Sequence, residues 1–184
     1  MHMHRRVTLA LTACAAVALL VGACNQSGSS AGITRSPTAQ APINNRPGGC
    51  AGTAVTDAIP PIWAQGGWVG VTGTSWPVPW AMGSPGDAVA YIWATELVAG
   101  PSPRIDGTNN KVLWVTKQPT SFVVQGHPFG SSQPTLNVPG GPSIIDAPSP
   151  GCWTFQLITK PDNRIVSTVN LQVLPAGSLP PRSG

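Results

Sequence analysis

Charged side chains are scarce in this chain, and their scarcity restricts the partners it can have. Only 9% of the 184 residues are charged, with ten Lys or Arg against six Asp or Glu. Arg5 and Arg6 lie in an N-terminal segment that we expect to be removed, and without them no basic cluster remains. Because nucleic-acid binding requires clustered Lys and Arg, the sequence predicts no nucleic-acid partner.

Residues for catalysis or cofactor binding are equally few. Beyond the N-terminal segment one histidine remains, His127. No serine lies in a Gly-x-Ser-x-Gly turn, and the glycines of residues 66–73 lack the lysine that a phosphate-binding loop requires. We therefore predict no cofactor, no metal and no catalytic activity. The alternative is a hydrolase-like site that combines His127 with Asp146.

Uninterrupted helical patterns are also absent, while turn-forming residues are abundant. The chain contains 21 glycines and 21 prolines, nearly a quarter of all residues. Seven tryptophans nevertheless indicate that part of the chain buries a core. This composition is typical of short strands joined by many turns.

The first 23 residues have the form of an export signal. Two arginines precede an apolar run over residues 7–21, which is short for a membrane-spanning helix. The run ends in Val21-Gly22-Ala23-Cys24, which resembles the bacterial lipobox, where the signal is cleaved and the cysteine is acylated. We predict a signal peptide over 1–23 and a lipid anchor on Cys24, holding the protein on the extracytoplasmic side of the cell membrane. An ordinary secretory signal that happens to contain Cys24 is the alternative.

A polar linker is expected to follow the anchor. Residues 24–49 contain no aromatic side chain and only two large aliphatic ones, Ile33 and Ile43. Such a segment buries too little to offset its ordering entropy, so we predict that it is disordered. As a flexible coil it would span roughly 25–30 Å. The folded domain is then predicted over residues 50–175, with a frayed tail over 176–184.

Two cysteines remain for the folded domain. Cys14 leaves with the signal and Cys24 is lipidated, which leaves Cys50 and Cys152. Exported domains form disulfides, so we predict that these two are bonded. Closing a loop of about 100 residues is worth up to about 4.7 kcal/mol in the chain-entropy model. Two free thiols are the alternative, since a single histidine leaves a zinc site short of ligands.

Strand patterns recur between these cysteines and beyond. They cover residues 88–97 (with a short helix as the alternative), 111–117, 121–125, 135–138, 143–145, 152–159 and 165–174. We expect 111–117 and 121–125 to pair as a hairpin. In a second hairpin, Val169, Leu171 and Val173 should lie beside Trp153, Phe155 and Leu157. Seven or eight short strands predict an all-β, immunoglobulin-like antiparallel sandwich.

Two motifs in this region resemble a known family. Asn110-Lys111-Val112-Leu113-Trp114-Val115 is followed by Pro142-Ser143-Ile144-Ile145-Asp146-Ala147-Pro148-Ser149-Pro150-Gly151-Cys152-Trp153. Together they resemble an uncharacterised family of exported bacterial lipoproteins, common in actinobacteria. The resemblance covers about residues 85–175. It implies a sandwich and a lipid anchor, and it implies no activity.

The tryptophans provide the candidate binding residues. Trp68, Trp76 and Trp80 lie among glycines and prolines, where flat aromatic faces suit a sugar ring, an acyl chain or a protein. The alternative is that these rings form a satellite core, because tryptophan is usually mostly buried. We expect Trp93, Trp114 and Trp153, which lie in strand patterns, to be in the main core.

These observations predict a membrane-anchored, non-catalytic cell-envelope lipoprotein. Its Trp-rich loop is expected to bind a glycan, a glycolipid or a protein partner. Two alternatives remain: the hydrolase-like site near His127 and Asp146, and a purely structural surface lipoprotein without a ligand.

Overall fold

Eleven short strands and one turn of 3-10 helix make up the described part of the chain. A computed structural model describes residues 45–66 and 76–179, all within one compact unit, Gln40–Gly184. The 3-10 helix is Ile62–Ala64. The strands are β1 Asn45–Arg46, β2 Val55–Thr56, β3 Trp80–Met82, β4 Ala88–Ile92, β5 Leu97–Val98, β6 Lys111–Thr116, β7 Phe122–Pro128, β8 Leu136–Pro139, β9 Pro142–Ile144, β10 Gly151–Thr159 and β11 Ile165–Leu174.

The strands form two sheets that pack face to face, which confirms the predicted all-β sandwich. Sheet A has the strand order β1-β2-β3-β4-β6-β9, and sheet B has the order β5-β11-β10-β7-β8. All neighbours are antiparallel except β5 and β11. The strand number exceeds the expected seven or eight because five of the eleven are only two or three residues long.

The main core lies between the two sheets. Trp114 of sheet A packs against Phe155 of sheet B, with ring centroids 5.5 Å apart. The predicted hairpin of β10 and β11 is confirmed in its register, because Trp153 pairs with Leu171 and Phe155 with Val169. All four residues are buried, so alternation along these two long strands specifies which face turns inward.

The outer face of sheet A carries a second core. Along β4, Ala88, Ala90 and Ile92 face sheet B, while Val89 and Tyr91 belong to a separate apolar cluster on the other side. Residues 62–64 and 76–80 contribute the rest of that cluster. Burial on both faces explains why all five residues of β4 are buried.

Two strand predictions are wrong in detail. Residues 88–97 are one predicted strand, but the structure divides them into β4 in sheet A and β5 in sheet B, with a turn between. Residues 111–117 and 121–125 do form strands, β6 and β7, but these lie in different sheets and do not pair. In a sandwich a short connection can cross between sheets, and the local sequence does not distinguish this from a hairpin.

The N-terminal segment of the domain joins both sheets. β1 pairs with β2 in sheet A, and directly after it Gly49 forms a bridge with Leu171 of β11 in sheet B. The predicted disulfide Cys50–Cys152 is confirmed, with the two Cα atoms 5.9 Å apart. The described residues begin at residue 45, within the segment 24–49 that the sequence predicts as linker. Cys24 and the predicted signal peptide lie outside the described residues.

The sandwich has two ends that differ in their connections. The end at which Asn45 begins β1, here called the entry end, carries the connections 93–96, 99–110, 129–135 and 145–150. The opposite end, here called the hairpin end, carries 83–87, 117–121, 140–141 and 160–164. Registers across sheet A, such as Thr56 with Trp80 and Trp80 with Tyr91, align the strands along this axis.

Candidate interaction surface

The structure describes two of the three tryptophans of the predicted Trp-rich binding loop, and both are buried. Trp76 is 4% exposed and Trp80 is 7% exposed, both in the second core. A stacking site needs an accessible ring face, so the predicted binding surface does not include these two rings. Both rings instead agree with the alternative prediction, in which they form a satellite core. Trp68 lies outside the described residues.

Contacts around these rings explain their burial. The Trp80 indole Nε1 donates a hydrogen bond to the Ala58 carbonyl at 2.6 Å. Trp76 lies next to Tyr91, with ring centroids 6.2 Å apart and an interplanar angle of 27°. The Tyr91 hydroxyl donates to the Ala64 carbonyl at 2.6 Å, and burial raises the pKa of Tyr91 to about 12. The Trp80 indole N–H and the Tyr91 hydroxyl are thus each bonded to a loop carbonyl, which holds the loop on sheet A.

Trp93 is the most exposed tryptophan among residues 45–66 and 76–179, contrary to the expectation that it is core. Its side chain is 45% exposed, and it follows β4 directly at the entry end. The Lys111 Nζ lies 5.6 Å from the centroid of its ring, a cation–π geometry. Ile144 pairs with Lys111 across β6 and β9 and is also exposed. We call Trp93, Lys111 and Ile144 the Trp93 platform.

Alternation along β4 contains the signal for this exposure. Trp93 has the same parity as Val89 and Tyr91, which face away from sheet B. A ring of that parity lies on the outer face of sheet A, and the second core covers Tyr91 without burying Trp93. A single strand over 88–97 places Trp93 inside a strand and therefore predicts a core position, which is why the predicted strand does not reveal its exposure.

The turn that carries Trp93 is held in a strained backbone conformation. Thr95 has a φ of 65°, which is unusual for a β-branched residue. Its amide N donates to the Ile92 carbonyl at 3.0 Å. On the far side of the turn, Arg104 Nη1 donates to the Glu96 carbonyl at 2.7 Å. Such strain persists only where neighbouring contacts over-determine it, so the turn is a rigid support for Trp93.

A polar network at the entry end supplies those contacts. Arg104 makes a two-pronged ion pair with Asp106, with Nη2 2.7 Å from Oδ2, and both side chains are 7% exposed. Hydrogen bonds from Arg104 and Thr108 hold the pKa of Asp106 well below its usual range. The Asn110 side-chain amide accepts a hydrogen bond from the Val98 N–H and donates one to the Val98 carbonyl. It thereby supplies the backbone partners that a neighbouring strand would give β5.

Asp146 belongs to this network, and its hydrogen-bond partner differs from that of His127. Its Oδ1 accepts a hydrogen bond from the Ser102 hydroxyl at 2.7 Å, and the Asn110 N–H donates to that same hydroxyl. His127 is buried in β7, with Nδ1 3.1 Å from the Pro128 carbonyl oxygen. The two residues of the hydrolase-like alternative therefore have separate partners.

Shallow cavities flank the Trp93 platform and the loop 99–110. One of about 500 Å³ is lined by residues that include Asn109, Lys111, Pro142 and Ile144. Another, of about 230 Å³, is lined mainly by the loop 99–106 and residues 176–179. Both open at or beside the entry end, and proline and aliphatic side chains dominate their walls.

The described residues contain neither a metal-binding cluster nor a membrane-spanning helix. Within residues 45–66 and 76–179, no group of three His, Cys, Asp or Glu could hold a metal ion. Among the described residues, no helix has the length and apolar composition that a membrane span requires. Comparisons with family models, with curated proteins and with solved structures found no match for this chain.

Proposed function

We propose that this chain is an exported lipoprotein, anchored to the cell membrane through Cys24, whose sandwich is a non-catalytic interaction module. The observation that carries the proposal is the Cys50–Cys152 disulfide. Disulfides of this kind form in oxidising compartments outside the cytoplasm. The basic and apolar N-terminus and the lipobox-like Val21-Gly22-Ala23-Cys24 supply the matching export and anchoring signals.

The interaction surface in this proposal is the entry end with the Trp93 platform. Trp93 combines an exposed ring with a rigid turn, and rigid aromatic side chains lose little entropy on binding. The partner classes that the sequence suggests are a glycan, a glycolipid or a protein of the envelope. The immunoglobulin-like character and the kinship with exported actinobacterial lipoproteins are part of this proposal. We propose no catalytic role for His127 and Asp146, because each has a different hydrogen-bond partner.

Metabolic labelling tests the anchor. In cells fed a clickable fatty acid, the wild-type chain should be labelled and should sediment with membranes. Cys24→Ala should lose the label and accumulate as uncleaved precursor, because the thiol is the acceptor of the lipid. Cys14→Ala, a cysteine inside the predicted signal, is the matched control and should keep both properties. Labelling that survives Cys24→Ala would refute the anchor.

A further inference from the structure

Solvent-exposed apolar side chains are concentrated at one end of the sandwich. Of the seven large apolar side chains exposed among the described residues, five lie at the entry end: Ile59, Trp93, Ile105, Phe129 and Ile144. Ile105 is 79% exposed and Phe129 is 58% exposed. The five come from five separate segments of both sheets, so their common position is a property of the fold and of no single loop.

Charged side chains show the opposite distribution. The hairpin end exposes Asp87, Lys117, Lys160, Asp162 and Arg164. At the entry end Arg104 and Asp106 form a buried pair at 2.7 Å, whereas Arg46, which pairs with Asp57 at 2.9 Å, is exposed. Among the described residues, the hairpin end therefore exposes five charged side chains, whereas the entry end exposes two, Arg46 and Lys111, beside its apolar ones.

The chain enters the domain at the apolar end. Asn45 starts β1 there, opposite Thr56. Twenty residues, 25–44, separate Asn45 from Cys24. If this segment is the flexible coil that the sequence predicts, it would reach roughly 22–27 Å on average, which is less than the width of a domain of this size. A lipid on Cys24 would therefore keep the entry end close to the surface that holds the lipid.

We propose that the entry end docks on the phospholipid surface in which the Cys24 lipid is inserted, with Trp93, Ile105 and Phe129 in the interfacial layer. This inference rests on the proposed anchor and names the partner of the same surface. Tryptophan favours the membrane interface, and Lys111 beside it can extend its ammonium to the headgroups. Because the linker makes docking intramolecular, a weak intrinsic affinity is sufficient.

The arrangement of the apolar side chains favours a lipid surface over a sugar. A glycan site needs aromatic faces and polar partners converging on one groove, whereas these side chains are spread over separate connections. A fluid interface accepts such dispersed side chains without requiring shape complementarity. The paired charges also predict that docking depends little on anionic lipid.

Depth-dependent quenching tests the docking. The full lipidated chain, with Phe129→Cys labelled by an environment-sensitive fluorophore, is reconstituted in phosphatidylcholine vesicles with or without nitroxide-bearing lipid. Ile165→Cys, also exposed but at the hairpin end, is the matched control. Each variant offers one free thiol, because Cys24 is acylated and Cys50 is bonded to Cys152. We expect nitroxide lipid to quench the residue-129 probe more than about twofold relative to the residue-165 probe.

Each result separates docking from anchoring. A chain that sediments with vesicles but shows equal quenching at both positions retains the anchor and overturns the docking. A chain whose Cys24 carries no lipid overturns both proposals. A residue-129 probe that stays accessible to aqueous iodide on vesicles, yet is protected by added peptidoglycan fragments, assigns the surface to a glycan and also overturns the docking. Thermal melting of both labelled variants confirms that they are folded.

Discussion

Among the described residues, Asp106 is the carboxyl group whose pKa is lowered most by its surroundings. Its carboxylate accepts hydrogen bonds from Arg104 and Thr108, and these hold its pKa well below the usual range. A lowered pKa in the folded state means that the carboxylate stabilises the fold above its unfolded pKa of about 3.9. That contribution is lost as the pH falls below this value.

Asp106→Asn should therefore lower the melting temperature at neutral pH, and the difference from wild type should narrow as the pH falls below about 4. The physical reason is that protonation removes from the wild type the charge that the variant already lacks. Asp87→Asn, an exposed carboxylate at the hairpin end, is the control and should change little at either pH. A difference between Asp106→Asn and wild type that is constant with pH would contradict the assignment.

Tyr91 gives the second core a direct spectroscopic readout. It is the only tyrosine of the chain, so the phenolate absorbance of the folded protein reports on this side chain alone. Burial raises its pKa to about 12, so the neutral phenol is favoured in the folded state. The resulting stability is present below the unfolded pKa of about 10 and is lost as the pH rises through the folded value.

Absorbance titration of the native chain should show no phenolate until the pH approaches 12 or the protein unfolds. Tyr91→Phe removes the hydrogen bond to the Ala64 carbonyl and should cost about 1 kcal/mol in the free energy of unfolding. Denaturant unfolding measures that cost, and Phe129→Leu at an exposed position is the control. Titration near pH 10 in the folded protein would show that residues 62–64 do not cover Tyr91.

At the scale of elements, the sequence predicts what alternation and length determine. The β10 and β11 patterns are long and strictly alternating, so their pairing and inward face are predictable from the residues. β4 and β5 are not, because the residues between them carry no Gly or Pro and the turn depends on Thr95 in a left-handed conformation. Arg104 and Asn110 stabilise that turn from a loop 8–12 residues away in sequence. A single sequence contains no local signal of such a contact.

The same limit of local sequence patterns explains why the candidate surface is the Trp93 platform and not the predicted Trp-rich loop. Trp76 and Trp80 lie among glycine and proline, which predicts a loop but does not predict whether the loop is covered. Their indoles find partners on residues 57–64 and on Tyr91, so the loop packs inward as a second core. Trp93 lies in a pattern that predicts burial, yet the end of β4 leaves it outside the area that this second core covers.

At the scale of the whole molecule, the disulfide determines how the domain is held to its N-terminal segment. It closes a loop of 102 residues and ties Cys50, five residues after Asn45, to β10 in the middle of sheet B. The same segment is hydrogen-bonded to β11: the Cys50 N–H donates to the Asn170 carbonyl, and the Gln172 N–H donates to the Gly48 carbonyl. A pull on the chain from its N-terminal side would reach β1 first and then, through the disulfide, the central hairpin of the sandwich. Without the covalent bond, the backbone hydrogen bonds of Gly48 and Cys50 to β11 would be what links this segment to sheet B.

Replacing both cysteines by serine should lower the free energy of unfolding by about 2–5 kcal/mol, because a loop this long restricts the unfolded chain strongly. The loss should not be uniform. Hydrogen exchange of residues 45–50 should accelerate far more than that of β10 and β11, whose paired strands persist without the bond. The double variant keeps Cys24, so its membrane fraction should equal that of wild type. Equal acceleration in β10 and in residues 45–50 would show that the disulfide holds the whole sandwich together, and that the entry segment has no separate dependence on it.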